Sequence, residues 1–208
     1  MTGYRDRTEA GERLGELLAA RGYPDPVVLG LVRGGVPVAA PVARVLHAPL
    51  DVLVVRKLGV PWLPEVAFGA LGPGGVRVLN PHVADRLDPS EIAEVTEAEA
   101  AELLRREQRY RGGRPAPELT GRVAVLVDDG IATGATARAA VLIARDLGAL
   151  RVVLAAPVGS APGVEWIGRC ADEVVCPLVP PDFAAVSHYY DKFPQVSDDE
   201  VGSALADR

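Results

Sequence analysis

The stretch Val123-Ala124-Val125-Leu126-Val127-Asp128-Asp129-Gly130-Ile131-Ala132-Thr133-Gly134-Ala135-Thr136 decides the reading of this chain. Five apolar residues form a short run that reads as a buried strand. The strand delivers two consecutive carboxylates, Asp128 and Asp129, to its C-terminal end. A loop of small residues follows, carrying the hydroxyls of Thr133 and Thr136, and Ala135 to Leu147 then reads as a helix. Glycine lets backbone approach a ligand closely. The unpaired N–H groups at a helix N-terminus favour an anion, most naturally a phosphate. Carboxylates are poor partners for phosphate, but they accept from sugar hydroxyls and suit hydrated Mg²⁺. The stretch therefore reads as a sugar-phosphate site, with the diol on the acids and the phosphate in the loop. A plain capped strand-to-helix turn explains one Asp and one Gly, not the whole set.

Working outward, strands alternate with helices. Asp6 and Glu9 form a capping box before a helix whose Ala10, Leu14, Leu17 and Leu18 share a face, and Gly22 and Pro24 end it. Val27–Leu31 reads as a strand, Arg33-Gly34-Gly35 as a turn, and Val36–Leu46 as a helix with Pro37 in its first turn. Leu50–Val55 is a second strand, followed by Arg56-Lys57. Gly59, Pro61 and Pro64 make Leu58–Pro64 a loop. Val66–Leu71 and Val76–Leu79 flank Gly72-Pro73-Gly74-Gly75 as a hairpin. Asp88 opens a long polar helix reaching Arg111, acidic at its start and basic at its end, as the helix dipole favours. Val152–Ala156 and Glu173–Cys176 read as strands, Val164–Cys170 as a helix, and Asp198–Leu205 as a closing helix within an irregular cap. Apolar strands joined by helices imply an α/β fold, a mostly parallel twisted sheet with helices on both faces. Ligands then bind at the carboxyl ends of the strands. The expected division is a core at 1–178, with a lid loop near 58–75, and a C-terminal hood at 179–208.

The 208 residues suit one large domain, and 49% apolar with 24% charged content is ordinary for a globular protein. A net charge of −6 argues against non-specific binding to nucleic acid or anionic membranes. No apolar run approaches the ~18–20 residues of a membrane helix, and the charged N-terminus lacks a secretory pattern. Cys170 and Cys176 have no metal-ligand spacing and read as reduced, buried thiols. The expected setting is the cytoplasm. His47, His82 and His188 stand alone and receive no role. Arg105, Arg106, Arg109, Arg111 and Arg114 read as a solvated helix end, with a contact to a partner subunit or RNA as the rival. Phe183 and Tyr189, in the most aromatic segment, are candidates to stack a base.

The stretch from Val123 to Thr136 resembles the phosphoribosyl diphosphate (PRPP) signature of type I phosphoribosyltransferases: apolar run, two acids, then a small/Thr/Gly/Thr loop. Leu31-Val32-Arg33-Gly34-Gly35-Val36-Pro37 looks like that family's pyrophosphate loop. Val55-Arg56-Lys57-Leu58-Gly59 and Pro64-Glu65-Val66-Ala67-Phe68-Gly69-Ala70 look like the segment around its mobile catalytic loop. With Tyr4-Arg5-Asp6-Arg7-Thr8-Glu9-Ala10-Gly11 added, the set resembles predicted bacterial phosphoribosyltransferases of unassigned substrate. The resemblance implies a core strand order like 3-2-1-4-5, often a homodimer, and Mg²⁺-dependent transfer of ribose 5-phosphate between PRPP and a nucleobase-like acceptor. It implies catalytic Asp128, Asp129, Lys57 and Arg56, with Mg²⁺ held by the two acids through water and PRPP. Gly130, Ile131, Ala132, Thr133, Gly134, Ala135 and Thr136 would bind the 5-phosphate. Arg33, Gly34, Gly35, Arg56 and Lys57 would bind pyrophosphate. Enzymes of the hypoxanthine-guanine type carry an aspartate where this chain has Ala132, which weakens a 6-oxopurine acceptor.

Two other readings compete. A PRPP- or nucleotide-sensing regulator could use the same fold with little catalysis. Against it stand the net charge, the lack of a separate DNA-binding motif, and Arg56-Lys57 beside a lid-like loop. A sugar-phosphate hydrolase lacks a convincing nucleophile or metal-binding histidine set. The expected reactants are small molecules, without nucleic acid or membrane.

Overall fold

The computed structural model describes residues 3–206. Met1 and Thr2 of the expected core, and Asp207 and Arg208 of the expected hood, lie outside them. Five parallel strands form the main sheet: β1 (Pro26–Leu31), β2 (Leu50–Leu53), β6 (Val123–Val127), β7 (Arg151–Ala155) and β8 (Glu173–Val175), in the order β2-β1-β6-β7-β8. Alternate side chains feed two cores. Val28, Val52, Val125 and Val153 face one, and Val27, Leu29, Leu126 and Leu154 face the other. Helices α1 (Arg7–Ala19), α2 (Val36–Leu46) and α4 (Pro89–Arg111) bury residues in the first core, whereas α5 (Ala135–Asp146) and α6 (Ala161–Gly168) bury theirs in the second. Both faces are thus covered, as strands this apolar require. α6 begins three residues earlier than its sequence suggests, because Ser160 caps it by accepting from Gly163 N–H at 3.1 Å.

The strand order differs from the 3-2-1-4-5 implied by resemblance. The parallel strands, counted along the chain, run 2-1-3-4-5. After β2 the chain leaves the main sheet and builds a separate antiparallel one. Its strands are β3 (Arg56–Val60), β4 (Leu63–Leu71) and β5 (Arg77–Leu79), in that order. The expected hairpin across Gly72–Gly75 is present, since Gly69, Ala70 and Leu71 pair with Leu79, Val78 and Arg77.

The expected loop at Leu58–Pro64 is instead mostly strand. Arg56, Lys57 and Leu58 pair with Leu71, Ala70 and Gly69. Glycine and proline there mark defects within a hairpin: the register shifts on both sides of Gly59, and Pro61-Trp62 make the turn. Trp62 and Leu63 stand exposed at its tip. A one-turn helix, α3 (Pro81–Ala84), leads to α4, whose capping box joins Asp88 and Glu91 and whose C-cap is left-handed Gly112.

The last helix, α7 (Asp198–Ala206), buries Val201 and Leu205 in the same core as α2 and α4. Residues near the two ends of the described chain pair with each other. Tyr4 N–H donates to Tyr189 O at 2.8 Å, while the N–H groups of Asp191 and Lys192 donate to Tyr4 O and Arg5 O at 2.9 Å. The segment that covers the carboxyl edge of the sheet is therefore built from both ends. Cys170 and Cys176 are free thiols and only partly buried. No helix among the described residues is long and apolar enough to cross a membrane.

The arginine cluster of α4 is not simply solvated. Arg111 is 6% exposed and donates from Nε to Asp51 Oδ1 at 3.2 Å and from Nη2 to Val52 O at 3.0 Å. It also pairs with Glu107, one turn back. Arg114 donates to Leu205 O at 3.1 Å, and Arg109 pairs with Asp198 at 2.8 Å, so the helix end ties β2 and α7 to the core. Arg111→Ala would strand the Asp51 carboxylate, itself 2% exposed. Urea unfolding of that variant is expected to show a loss of about 3–5 kcal/mol. Replacing the pair by Asp51→Val with Arg111→Met is expected to cost less than Arg111→Ala alone.

Candidate active site

β1 and β6 are neighbours, with Gly30 opposite Val127. The turn after β1 and the loop after β6 therefore leave the sheet side by side. This is where the connections diverge to opposite faces, the usual ligand site of an open α/β sheet. Gly34 and Gly35 closely approach Val127, Asp128 and Asp129 there. A Cβ on Gly34 would lie 2.2 Å from Asp129 Oδ2, and one on Gly35 would lie 2.3 Å from Val127 O. Only glycine fits this contact. It explains the Gly-Gly pair better than the turn does.

Each acid has one oxygen held by the protein. Asp128 Oδ1 accepts from the Asp129 N–H at 2.9 Å. Asp129 Oδ2 accepts from Arg7 Nε at 2.9 Å and from Arg7 Nη2 at 2.8 Å, and neither donor reaches Oδ1. The Arg7 and Asp129 side chains are only 9% and 15% exposed. Tyr190 donates its hydroxyl to Asp129 O at 2.7 Å. Burial pushes the Asp128 carboxyl well above the ordinary carboxylate range, and the adjacent Asp129 charge pushes the same way. Burial also raises Asp129, with Arg7 opposing the shift.

The loop after the acids is pinned from below. Ile131 N–H donates to Val158 O at 2.9 Å, Ser160 N–H to Ile131 O at 2.8 Å, and the Ser160 hydroxyl to Ala132 O at 2.5 Å. Gly134, at φ 79°, turns the chain into α5 without a side-chain cap. Ala132, Thr133, Ala135 and Thr136 are exposed around that turn. Thr133 Oγ1 lies 3.4 Å from Ala135 N. The arrangement leaves the positive end of a helix and the residues that carry its two hydroxyls exposed. Gly130 packs under Val186, where a Cβ would lie 2.5 Å from Cγ1.

A cleft of about 450 Å³ opens between the turn and the C-terminal segment, lined by Arg7, Arg33, Gly34, Asp129, Phe193 and Gln195 among others. Arg33 follows a cis Val32–Arg33 peptide. Its guanidinium is 3.8 Å from Asp198, which also accepts from Tyr110 at 2.7 Å. Arg56 and Lys57 stand at the start of β3. Arg56 Nε donates to Glu99 Oε2 at 2.6 Å, and Lys57 is exposed. Neither is bonded to the acid pair or to the Arg33–Gly35 turn. Phe183 and Tyr189 stack on each other at 5.7 Å and 11°, leaving no slot between them. The aromatic ring in the cleft is that of Phe193.

Arg7, Tyr190, Phe193 and Asp198 carry parts of this geometry that sequence reasoning missed. For Arg7 a signal exists: it falls on the face of α1 shared by Ala10, Gly11 and Leu14, and a cation on a buried stripe needs a partner. For Asp198 no local signal distinguishes it from an ordinary acidic helix start.

Comparison with known proteins identifies the family. A phosphoribosyl transferase domain model matches residues 9–192, and the chain belongs to that family. It is 54% identical over 204 residues to a protein that carries the name "Putative phosphoribosyl transferase" in two strains of Mycobacterium tuberculosis. That alignment takes in 97% of this chain but 46% of the relative, so the chain spans about half the length of the curated relatives it matches. The crystal structure of TT1426 from Thermus thermophilus is similar at a TM-score of 0.91 and 47% identity, over 99% of this chain and 98% of that one. The AQ2163 protein from Aquifex aeolicus, at TM-score 0.51 and 15% identity, covering 83% of this chain and 73% of that one, shares the fold.

The raised acids have a consequence for stability without magnesium. An acid whose native pKa lies above its unfolded value binds its proton more tightly in the native state. The stability it contributes is present below about pH 3.8, its ordinary value, and is lost as pH rises through the native pKa. Asp128→Asn is therefore expected to raise the melting temperature at pH 7 and to flatten the decline of stability above pH 4. Scanning calorimetry across that range checks it.

Proposed function

We propose that this chain is a Mg²⁺-dependent phosphoribosyltransferase, moving ribose 5-phosphate between PRPP and a nucleobase-like acceptor with release of pyrophosphate. One observation carries the reading: two adjacent acids, each with one oxygen anchored and one left over, lie between a glycine turn and an uncapped helix N-terminus. The remaining oxygens, Asp128 Oδ2 and Asp129 Oδ1, suit the two ribose hydroxyls. The Gly130–Thr136 loop suits the 5-phosphate, with N–H groups and the Thr133 and Thr136 hydroxyls as donors. Held at both points, the sugar keeps its C1 fixed, so remote binding energy serves orientation.

The acceptor's lone pair then forms the new bond to C1 as the C1–O bond breaks, and that electron pair leaves with pyrophosphate. Arg33 and the Gly34-Gly35 backbone are assigned to the leaving group, whose charge grows in the transition state. Lys57 and Arg56 are assigned to it as well, Arg56 exchanging Glu99 for pyrophosphate as the hairpin moves. The acids offer hard oxygen donors that fit Mg²⁺, and no group of three or more metal-ligating side chains lies among the described residues. Asp128 and Asp129 would hold the ion indirectly, through water and PRPP, because their free oxygens are given to the ribose hydroxyls. When bound, Mg²⁺ supplies positive charge to the diphosphate. The β3–β4 hairpin is assigned the role of excluding water. Phe183 and Tyr189 are candidates for the far wall of the acceptor site, with Phe193 nearer the acids. The resemblance supports a cytoplasmic homodimer acting on small molecules, with neither nucleic acid nor membrane required.

Calorimetry with PRPP and Mg²⁺ tests the reading. Wild type is expected to bind, and Asp128→Asn with Asp129→Asn to weaken binding by about 1.5–3 kcal/mol for each charge-assisted bond lost. Unchanged affinity in the double variant rejects the assignment of the acids. Thr133→Val with Gly134→Val is expected to abolish binding of both PRPP and inorganic phosphate. Intact phosphate binding there would reduce the loop to an ordinary helix start.

A further inference from the structure

We propose that Arg7 is a positioning residue for the sugar-binding acid, a role that rests on the phosphoribosyltransferase reading above. Its guanidinium is fixed at every side. Nε and Nη2 both donate to Asp129 Oδ2, at 2.9 and 2.8 Å, and Nη1 donates to Pro194 O at 2.8 Å. The ring of Phe193 lies 3.7 Å from the guanidinium carbon. Two donors converging on one oxygen settle the carboxylate rotamer and leave Oδ1 as the outward acceptor. Tyr190, donating to Asp129 O at 2.7 Å, fixes the backbone of the same residue.

Stability alone is a poor reason for this arrangement. An ion pair this far from water gains little over an apolar contact of the same shape. α1 places Arg7 on the stripe that buries Ala10, Gly11 and Leu14, where an apolar residue would serve packing at least as well. The pair stands instead at the wall of the cleft that holds Arg33 and Gly34. PRPP is a polyanion, and two bare carboxylates would repel it. Arg7 offsets one of the two charges without occupying the oxygen that the sugar needs.

Ribose 5-phosphate and inorganic phosphate separate this role from a structural one, because only the first brings hydroxyls to Asp129. In Arg7→Ala, calorimetric affinity for PRPP and ribose 5-phosphate is expected to fall about tenfold or more, while affinity for inorganic phosphate stays at the wild-type value. Added guanidinium is expected to restore ribose 5-phosphate binding to that variant. Arg7→Lys is expected to fall between the two, since one ammonium cannot reach Asp129 and Pro194 together. It carries the test if Arg7→Ala does not fold. Wild-type sugar affinity in either folded variant overturns the role. So does an equal loss for ribose 5-phosphate and inorganic phosphate, which would mark Arg7 as structural. Failure of wild type itself to bind PRPP would instead remove the phosphoribosyltransferase reading, and this role with it.

Discussion

Asp128 and Asp129 follow one another at the end of a fully buried strand, and burial works against the charge on both. Much of the surrounding structure answers that problem. The Asp129 amide turns back onto Asp128, Arg7 reaches in from the first helix, and the Tyr190 hydroxyl holds the Asp129 backbone. Gly34 yields the space that a side chain would have taken from the carboxylate. None of these contacts would be needed to stabilise a five-stranded sheet. They keep two like charges adjacent, oriented and half-shielded, the kind of arrangement that clusters at functional sites.

The main sheet was legible because each of its strands is a short apolar run between polar or glycine-rich turns. Val123–Val127 and its loop were the clearest case, since a strand that ends in two acids has few structural explanations. The β3–β4 hairpin was not legible. Gly59, Pro61 and Pro64 are the residues that usually end a strand, and here they mark a bulge and a turn within one. The strand order followed the same fate: once the chain after β2 forms its own sheet, β2 is left at an edge of the main one.

Charge patterning misled in the long helix α4. Five arginines near its end look solvated, but Arg111 points inward to Asp51, a carboxylate on a strand that otherwise reads as apolar. Asp51 was the visible clue, because a buried acid demands a cation. The C-terminal segment stands out in the sequence as the most aromatic, but composition does not say which of its rings faces the cleft. Phe183 and Tyr189 cover each other, and Phe193 meets Arg7 instead. Such pairings depend on how the segment folds back over Gly130 and Asp129, which no local pattern encodes.

The hydrogen bond from Arg7 to Pro194 joins residues 187 positions apart. Closing so long a loop costs more chain entropy than closing a short one, so this contact gains little until other parts of the fold have shortened the loop. The strands and their covering helices can assemble from nearer neighbours first. An incompletely folded or clipped molecule would therefore retain much of the sheet and both carboxylates, yet lack the brace that orients them. The brace thus ties the acid to two segments at once, and it exists only where the first helix and the residues around Pro194 have come together.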